Sequence, residues 1–428
     1  MKKVGIISLG CAKNLVDSEN ILGLLDHDRY EIVNSVEDSD IVIVNTCGFI
    51  NDSKRESIQT ILDLVPFSKK IVVTGCLVQR YEEEIRKEIP EINLIVPIRD
   101  YYRFNELLKT IDDDLTESGG LNDEYRVVST GTYSAYLKIG EGCSNHCAYC
   151  AIPLIRGEFV SREKEDIIKE AKKLANEGYK ELIVLEQDTT KYGVDLTHGE
   201  NIVGLLKELL KIQGLDYIRL LYLYPDEITD ELIDLIAKEE RLTTYFDIPI
   251  QHSEDTVLKH MGRRGNKELL INLFKKIRER VPRPVLRTTL MVGFPGETEE
   301  DFENLKKFME EIKFDHLGAF IYSQEENTPA FSFDNQIDEK TKKRRLNEVM
   351  KLQQKISYQN NKNRIGEVME GLVIGQEKQY YLLRSYWNAP DDVDGKIYFS
   401  SNESLKEGDK VKVKITKASV YDLYGEKI

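Results

Sequence analysis

Three thiols crowd into Cys143-Ser144-Asn145-His146-Cys147-Ala148-Tyr149-Cys150, a C-x3-C-x2-C array. A loop with this spacing can wrap a metal cluster. Three thiolates suit a four-iron cluster whose fourth iron stays open, whereas a structural zinc site needs a fourth protein ligand close by. His146 is the candidate for that fourth ligand, but inside so tight a loop it would join all three cysteines only under strain, and the cluster is the preferred reading. An open iron can chelate the amino and carboxylate groups of S-adenosylmethionine and pass one electron into its sulfonium, releasing an adenosyl radical. The protein then supplies binding and orientation, so no catalytic residue is assigned beyond the cluster ligands. Tyr149 either covers the adenine beside the cluster or packs in the mouth of the fold, and the sequence leaves both open.

The other three cysteines, Cys11, Cys47 and Cys76, are far apart in the chain, but each directly follows a strand-like run: Ser8-Leu9-Gly10-Cys11, Asn45-Thr46-Cys47 and Thr74-Gly75-Cys76. In an open parallel sheet the carboxyl ends of the strands form the ligand crevice, so three such cysteines converge on one site. They are expected to hold a second cluster. The bland alternative is three buried structural cysteines. All six cysteines precede residue 151, and in a reducing compartment clustered thiols are more often metal ligands than disulfide partners.

The elements that must position these thiols follow from periodicity. Up to about residue 110, short β-branched runs at 4–8, 41–45 and 71–74 alternate with helical stretches such as 53–65, which predicts a parallel α/β domain. In that helix Ser53 and Glu56 form a candidate capping box, and Ile58, Ile61, Leu62 and Val65 form the candidate buried face. Residues 112–130, with three consecutive aspartates and Gly119-Gly120, read as a polar linker. Beyond it, strand-like runs recur near Tyr136, Leu182, Tyr217, Tyr245, Val285 and His316 with helical segments between most of them. Six βα units predict an open barrel, short of the eight that close a (β/α) barrel. Residues 342–364 favour a helix, and the alternation in Lys410-Val411-Lys412-Val413-Lys414-Ile415 marks the last 60 or so residues as a small β-barrel.

At 428 residues the chain must divide into two or three domains. No stretch approaches the roughly 18 to 20 unbroken apolar residues of a membrane span, and Met1-Lys2-Lys3-Val4 lacks a secretory signal pattern, so a cytoplasmic protein with no membrane role is expected. Net charge is -15 with a pI near 5.1, which opposes nonspecific nucleic-acid binding and favours a basic partner. His252, His260 and His316 stand singly and receive no metal or acid-base role. Asp226-Glu227 and Glu325-Glu326 read as charged turns.

Taken together, the chain resembles the methylthiotransferase family of radical S-adenosylmethionine enzymes. The resemblance is carried by both cysteine sets, by Ser8-Leu9-Gly10-Cys11 through Lys13-Asn14-Leu15-Val16-Asp17-Ser18-Glu19, and by Cys150-Ala151-Ile152-Pro153 with Arg156-Gly157. Gln187-Asp188-Thr189-Thr190 with Tyr192-Gly193, Pro249-Ile250-Gln251-His252 and Gly293-Phe294-Pro295-Gly296-Glu297-Thr298 extend it. Two positions depart: Ala12 stands where the family often has proline, and Asp391-Asp392-Val393-Asp394-Gly395 varies an acid-isoleucine pattern. Neither touches a proposed ligand.

The resemblance implies an amino-terminal methylthiotransferase domain over 1–115, a linker over 116–130, a partial (β/α)6 radical barrel over 131–364 and a TRAM β-barrel over 365–428 that recognises substrate. It implies two 4Fe-4S clusters, on Cys11, Cys47 and Cys76 and on Cys143, Cys147 and Cys150, and makes Gln187 a candidate S-adenosylmethionine contact. One S-adenosylmethionine methylates sulfur and a second gives the radical that takes hydrogen from the target carbon. The branch it resembles modifies the β-carbon of an aspartate in ribosomal protein S-twelve to 3-methylthioaspartate, free or in the small ribosomal subunit. A reducing partner such as flavodoxin or ferredoxin and a sulfur donor are implied too, with a monomer expected.

The nearest alternative is a transfer RNA methylthiotransferase. Residues 365–428 carry eleven Asp and Glu against nine Lys and Arg, a net of -2, which suits phosphates poorly. Lys406, Lys410, Lys412, Lys414 and Lys417 read as solvated strand faces before an RNA patch. Trp387 reads as core rather than a recognition aromatic. Outside this class, a noncatalytic iron-sulfur carrier would bind iron without cleaving S-adenosylmethionine. A pure RNA-binding module would show salt-sensitive affinity that survives cluster loss.

Overall fold

The computed structural model describes residues 1–67, 69–111, 126–390 and 393–428. In the amino-terminal part, strands run in the spatial order Tyr30–Ile32, Lys2–Ser8, Ile41–Thr46, Lys70–Gly75 and Leu94–Val96, all parallel. Both faces are covered, which is why the central runs are continuously apolar. Val4, Ile41, Ile43 and Val72 pack with Ile21 and Phe104 on one side, and Val42, Val44 and Val73 pack with Ile61, Leu77 and Ile85 on the other. The short outer strands at Tyr30 and Leu94 carried too little pattern to be read from sequence.

The helix expected over 53–65 is Asn51–Leu64, capped at Ile50 with no side-chain cap, so the Ser53 and Glu56 capping box does not form. Its buried stripe is Ser57, Ile61 and Leu64, while Ile58 and Leu62 are exposed. The cause is local. Ser57 Oγ accepts from Cys47 N at 3.0 Å and donates to Cys47 O at 2.9 Å, which rolls the helix so that the 57/61/64 stripe meets the sheet. Val65 lies in a following 3-10 turn, Val65–Phe67.

Most of the expected linker lies outside the described residues. Its described end is tied down: Arg126 Nη2 pairs with Glu19 at 2.6 Å and Nη1 with Glu170 at 2.7 Å, and Ser129 N donates to Glu19.

Next come the strands Ser134–Lys138, Glu181–Leu185, Tyr217–Leu220, Tyr245–Asp247, Val285–Val292 and His316–Ile321. They form two three-stranded parallel sheets in chain order, joined by a bridge from Ile218 to Leu242 and by Leu223 N donating to Asp247 O at 2.8 Å. This is the open six-strand barrel, its helices packed around one large apolar core. The turn after Val285–Val292 is built by Glu297, whose carboxylate accepts from Gly293 N and Phe294 N. Thr298 and Asp301 then form a capping box on the helix Glu299–Ile312.

The long helix Glu339–Asn363 leads to a closed barrel of Val368–Glu377, Tyr380–Ser385, Ile397–Ser400, Lys410–Ala418 and Leu423–Lys427. Val411, Val413 and Ile415 point inward and the alternating lysines outward, with Lys410 paired to Glu370 at 2.8 Å and Lys412 near the same carboxylate. Trp387 is wholly buried in the apolar cluster that joins this barrel to Tyr136, Ile183 and Tyr245 of the larger one and to Ala12 and Val16.

Glu325 corrects the reading of a charged turn. It is 1% exposed and receives Lys54 at 2.7 Å and Arg80 at 3.1 Å, fastening the amino-terminal sheet to the barrel rim. Among the described residues no helix is long and apolar enough to cross a membrane.

Candidate cluster and cofactor site

Parallel register sets the first three thiols. Ser8 pairs with Asn45, Asn45 with Thr74, and Thr46 with Gly75, so Cys47 and Cys76 leave adjacent strands at one level and Cys11 leaves the neighbouring strand three residues past Ser8. Asn14 ties these ends together. Its Nδ2 donates to Leu9 O and Thr46 O, both at 2.9 Å, and its Oδ1 accepts from Cys76 Sγ at 3.4 Å.

The second set sits in the loop after Ser134–Lys138. Cys143 N donates to Gly157 O and Ala148 N to Met261 O, and Gly142, at φ +78, presses against the backbone of Glu158 where a Cβ would collide. The segment after Glu181–Leu185 clamps this loop: Asn145 donates to Asp188 at 2.8 Å and accepts from Lys191 at 2.7 Å. His146 does not join the thiols. Its side chain is 62% exposed and faces Glu158 at 3.6 Å, which removes the fourth-ligand arrangement a zinc site would need.

Both sets meet. One cavity of about 650 Å³ between the amino-terminal sheet and the barrel mouth is lined by Cys11, Cys47, Cys76, Cys143, Cys147 and Cys150, together with Tyr149 and Gln187. Among the described residues no three Cys, His, Asp or Glu side chains stand close enough to chelate a single ion, whereas the space between the two thiol sets is large enough for multi-atom groups. Burial pushes the Cys76 thiol up to about 12 even with Arg156 beside it, and burial likewise raises Cys47, Cys143 and Cys150. Buried thiols of this kind lose their protons to a bound metal more readily than to water.

Polar groups in and behind the wall lack partners. Gln187 Nε2 and Gln251 Oε1 line the cavity buried and, among the described residues, without hydrogen bonds, and Gln251 is held at φ +70. Native proteins rarely leave such atoms unpaired, so these are places for a polar ligand. Tyr149 is both a packing and a lining residue: its ring meets Phe294 edge-on at 6.4 Å while it borders the cavity. The thiols and unpaired amides of this cavity are a donor set that fits iron-sulfur ligation and a polar cofactor.

The chain matches three family models in sequence order: the uncharacterized protein family UPF0004 over residues 3–97, the radical SAM superfamily over 137–309 and the TRAM domain over 365–428. It is 48% identical over 432 residues to the ribosomal protein uS12 methylthiotransferase RimO of Alkaliphilus oremlandii, covering 99% of this chain and 98% of that one. The protein of the same name from Clostridioides difficile is also 48% identical, over 440 residues, covering 100% and 99%. This chain belongs to the ribosomal protein uS12 methylthiotransferase family. It is thus a methylthiotransferase of the radical S-adenosylmethionine kind. The solved radical S-adenosylmethionine methyltransferase TsrM of Kitasatospora setae, with 14% identity, a TM-score of 0.56 and coverage of 87% and 78%, shares the fold.

Several residues of this methylthiotransferase site went unassigned in the sequence. Arg156 reaches Cys76 Sγ at 3.6 Å, and Arg263 lies 4.0 Å from Cys147 Sγ and 4.0 Å above the Tyr224 ring. Asn14 gave one usable signal, an amide three residues after Cys11 at the start of a helix. Arg263, in Met261-Gly262-Arg263-Arg264, gave none.

Proposed function

We propose that this chain replaces a β-carbon hydrogen of an aspartate in ribosomal protein uS12 with a methylthio group, giving 3-methylthioaspartate. The hydrogen leaves in 5′-deoxyadenosine from one S-adenosylmethionine, and the methyl comes from a second. Sulfur comes from a sulfur donor, and electrons from a reductant of the flavodoxin or ferredoxin kind, in the cytoplasm. The observation that carries this reading is the meeting of both thiol sets in one cavity, because sulfur delivery and hydrogen removal must act on the same carbon.

In this reading Cys143, Cys147 and Cys150 hold one 4Fe-4S cluster and Cys11, Cys47 and Cys76 hold the other. When bound, the clusters and S-adenosylmethionine supply one-electron transfer, a methyl group for sulfur and hydrogen abstraction from carbon. The chain does the rest. Asn14 keeps the three strand ends together, Asn145 and Asp188 fix the cysteine loop, and Gln187 Nε2 offers its unused donor to S-adenosylmethionine. Tyr149, backed edge-on by Phe294, walls the space against water. A net charge of -15 favours a basic protein partner, and the lysines of the carboxy-terminal barrel are already paired at Lys410 and Lys412.

The test is anaerobic reaction of the reconstituted chain with S-adenosylmethionine, reductant, sulfide and either uS12 or transfer RNA, followed by mass spectrometry. A methylthio gain on an aspartate of uS12 that vanishes in Cys143→Ala and Cys47→Ala is expected. A gain on transfer RNA overturns the substrate, and no 5′-deoxyadenosine at all overturns the radical chemistry in favour of a cluster carrier.

A further inference from the structure

Four cations line the cavity, and protein groups already hold three of them. Arg156 is bound to Asp17 at 2.9 Å and Glu141 at 3.0 Å. Arg263 donates to Pro249 O at 2.5 Å and covers Tyr224. Arg287 is paired with Asp247 at 2.7 Å and stands 3.5 Å from Asp394. Lys13 differs. It is 6% exposed, and among the described residues no carboxylate lies within ion-pair distance of its ammonium, which sits 3.6 Å above the centre of the Tyr222 ring. Glu186 feels its charge only at longer range.

An aromatic face replaces part of an ammonium's hydration but not all of it, so a buried lysine held this way is short of one anion. The support beneath it is costly. Tyr222 adopts φ +60, rare for a bulky residue, and is held there by Asp247 Oδ2, which accepts from Tyr222 N at 3.1 Å, and by Thr189 N, which donates to Tyr222 O at 3.1 Å. Strain of this kind is kept where it places a group for use. Lys13 lies two residues after Cys11, and its ammonium meets the barrel at Tyr222, so it lines the cavity where the amino-terminal domain and the barrel meet.

We propose that Lys13 binds the side-chain carboxylate of the target aspartate and so selects an acidic protein side chain over a neutral base. This rests on the function proposed above. A carboxylate on Lys13 Nζ holds the adjacent β-carbon inside the cavity between the two thiol sets. The methionine carboxylate of S-adenosylmethionine is the other source of the same chemistry, and the test separates them.

The measurement is binding of two uS12 peptides, one with the target aspartate and one with asparagine there, to the anaerobically reconstituted full chain with S-adenosylmethionine and no reductant. In the parent the asparagine peptide should bind about tenfold more weakly, the scale of one hydrogen bond to a charged group. Lys13→Met should lose about tenfold for the aspartate peptide and no longer tell the two apart. Lys13→Gln should do the same, Lys13→Arg should keep the preference, and iron per chain should match the parent in all three. A Lys13→Met protein that still prefers aspartate overturns the proposal. So does one whose affinity for S-adenosylmethionine falls without peptide, since the carboxylate is then the cofactor's. If the parent modifies transfer RNA and ignores uS12, the function reading fails and this proposal falls with it; if parent and Lys13→Met modify uS12 equally, only this proposal fails.

Discussion

Arg156 Nη2 stands 3.6 Å from Cys76 Sγ while donating to Asn14 Oδ1 at 2.6 Å and Asp17 Oδ2 at 2.9 Å, so a side chain of the barrel is built into the thiol set of the amino-terminal sheet. Its other amino group meets Glu141 at 3.0 Å. The guanidinium is 1% exposed and Asp17 4%, which puts the pair in the regime where removing one partner strands a buried charge. Arg156→Ala should therefore weaken the docking of the two parts by about 3–5 kcal/mol. Hydrogen exchange in the helix Ala12–Leu24 should rise sharply, and Arg156→Lys should fall between, because lysine keeps the charge but loses the fork. Unchanged exchange in Arg156→Ala would show that Lys138, which also holds Asp17, suffices.

Gly75 controls the delivery of Cys76. It sits at φ +94, and a Cβ there would collide with Asn45 Oδ1 and with the backbone of Thr46, which cannot yield without disturbing the sheet. The backbone strain alone is worth about 1–3 kcal/mol. Gly75→Ala should lower iron per chain by the share of one cluster and abolish methylthio product, yet leave 5′-deoxyadenosine formation at the barrel cysteines. Full iron content in the variant would refute this.

Glu186 is buried, and burial, then Glu141, pushes its carboxyl from 4.5 up to about 7. Between those values the folded protein holds a proton that the unfolded chain has released, so stability falls as pH rises from 4.5 through 7 and stays reduced above. The gap corresponds to about 3 kcal/mol. Glu186→Gln stays neutral throughout, so its advantage over the parent should grow across this window, read as urea midpoints without S-adenosylmethionine. Parallel pH profiles for the two proteins would count against it.

The meeting of Cys11, Cys47 and Cys76 was legible in the sequence because each follows a strand, which locates the thiol at the sheet edge before any tertiary contact is known, and the grouping of Cys143, Cys147 and Cys150 was legible from their spacing in one loop. The six barrel strands were legible as well, each being a short apolar run. What escaped depends on contacts across the chain. Ile58 and Leu62 match the helical period of Ile61, but the bond from Ser57 to Cys47 rolls them outward. Glu325 reads as a turn carboxylate until Arg80, 245 residues away, is brought onto it. Arg156 and Lys13 act through long side chains whose reach is set by how two parts of the fold meet, and local periodicity carries no trace of that.

Asp394 fastens the carboxy-terminal barrel to the same cavity. Its Oδ2 accepts from the Tyr245 hydroxyl at 2.6 Å and from Ala389 N at 2.9 Å, and its Oδ1 faces Arg287 Nε at 3.5 Å and His316 Nδ1 at 3.7 Å. Burial opposes its charge, but His316 and Arg287 outweigh it and hold the carboxyl below its ordinary range, so this group adds stability at neutral pH that is lost only in acid. Arg287 in turn grips Asp247, and Asp247 holds the backbone of Tyr222 beneath Lys13. Asp394→Ala should cost about 3–5 kcal/mol by stranding these partners, whereas Asp394→Asn, which keeps the shape and an acceptor, should cost less. Hydrogen exchange should quicken in Tyr245–Asp247 and Val285–Val292, and uS12 modification should drop more than 5′-deoxyadenosine formation, because the loss reaches the target's seat through Asp247 and Tyr222 and leaves the cysteine loop intact. If both products fall together, the carboxy-terminal barrel supports the whole cavity and not the seat of the target alone.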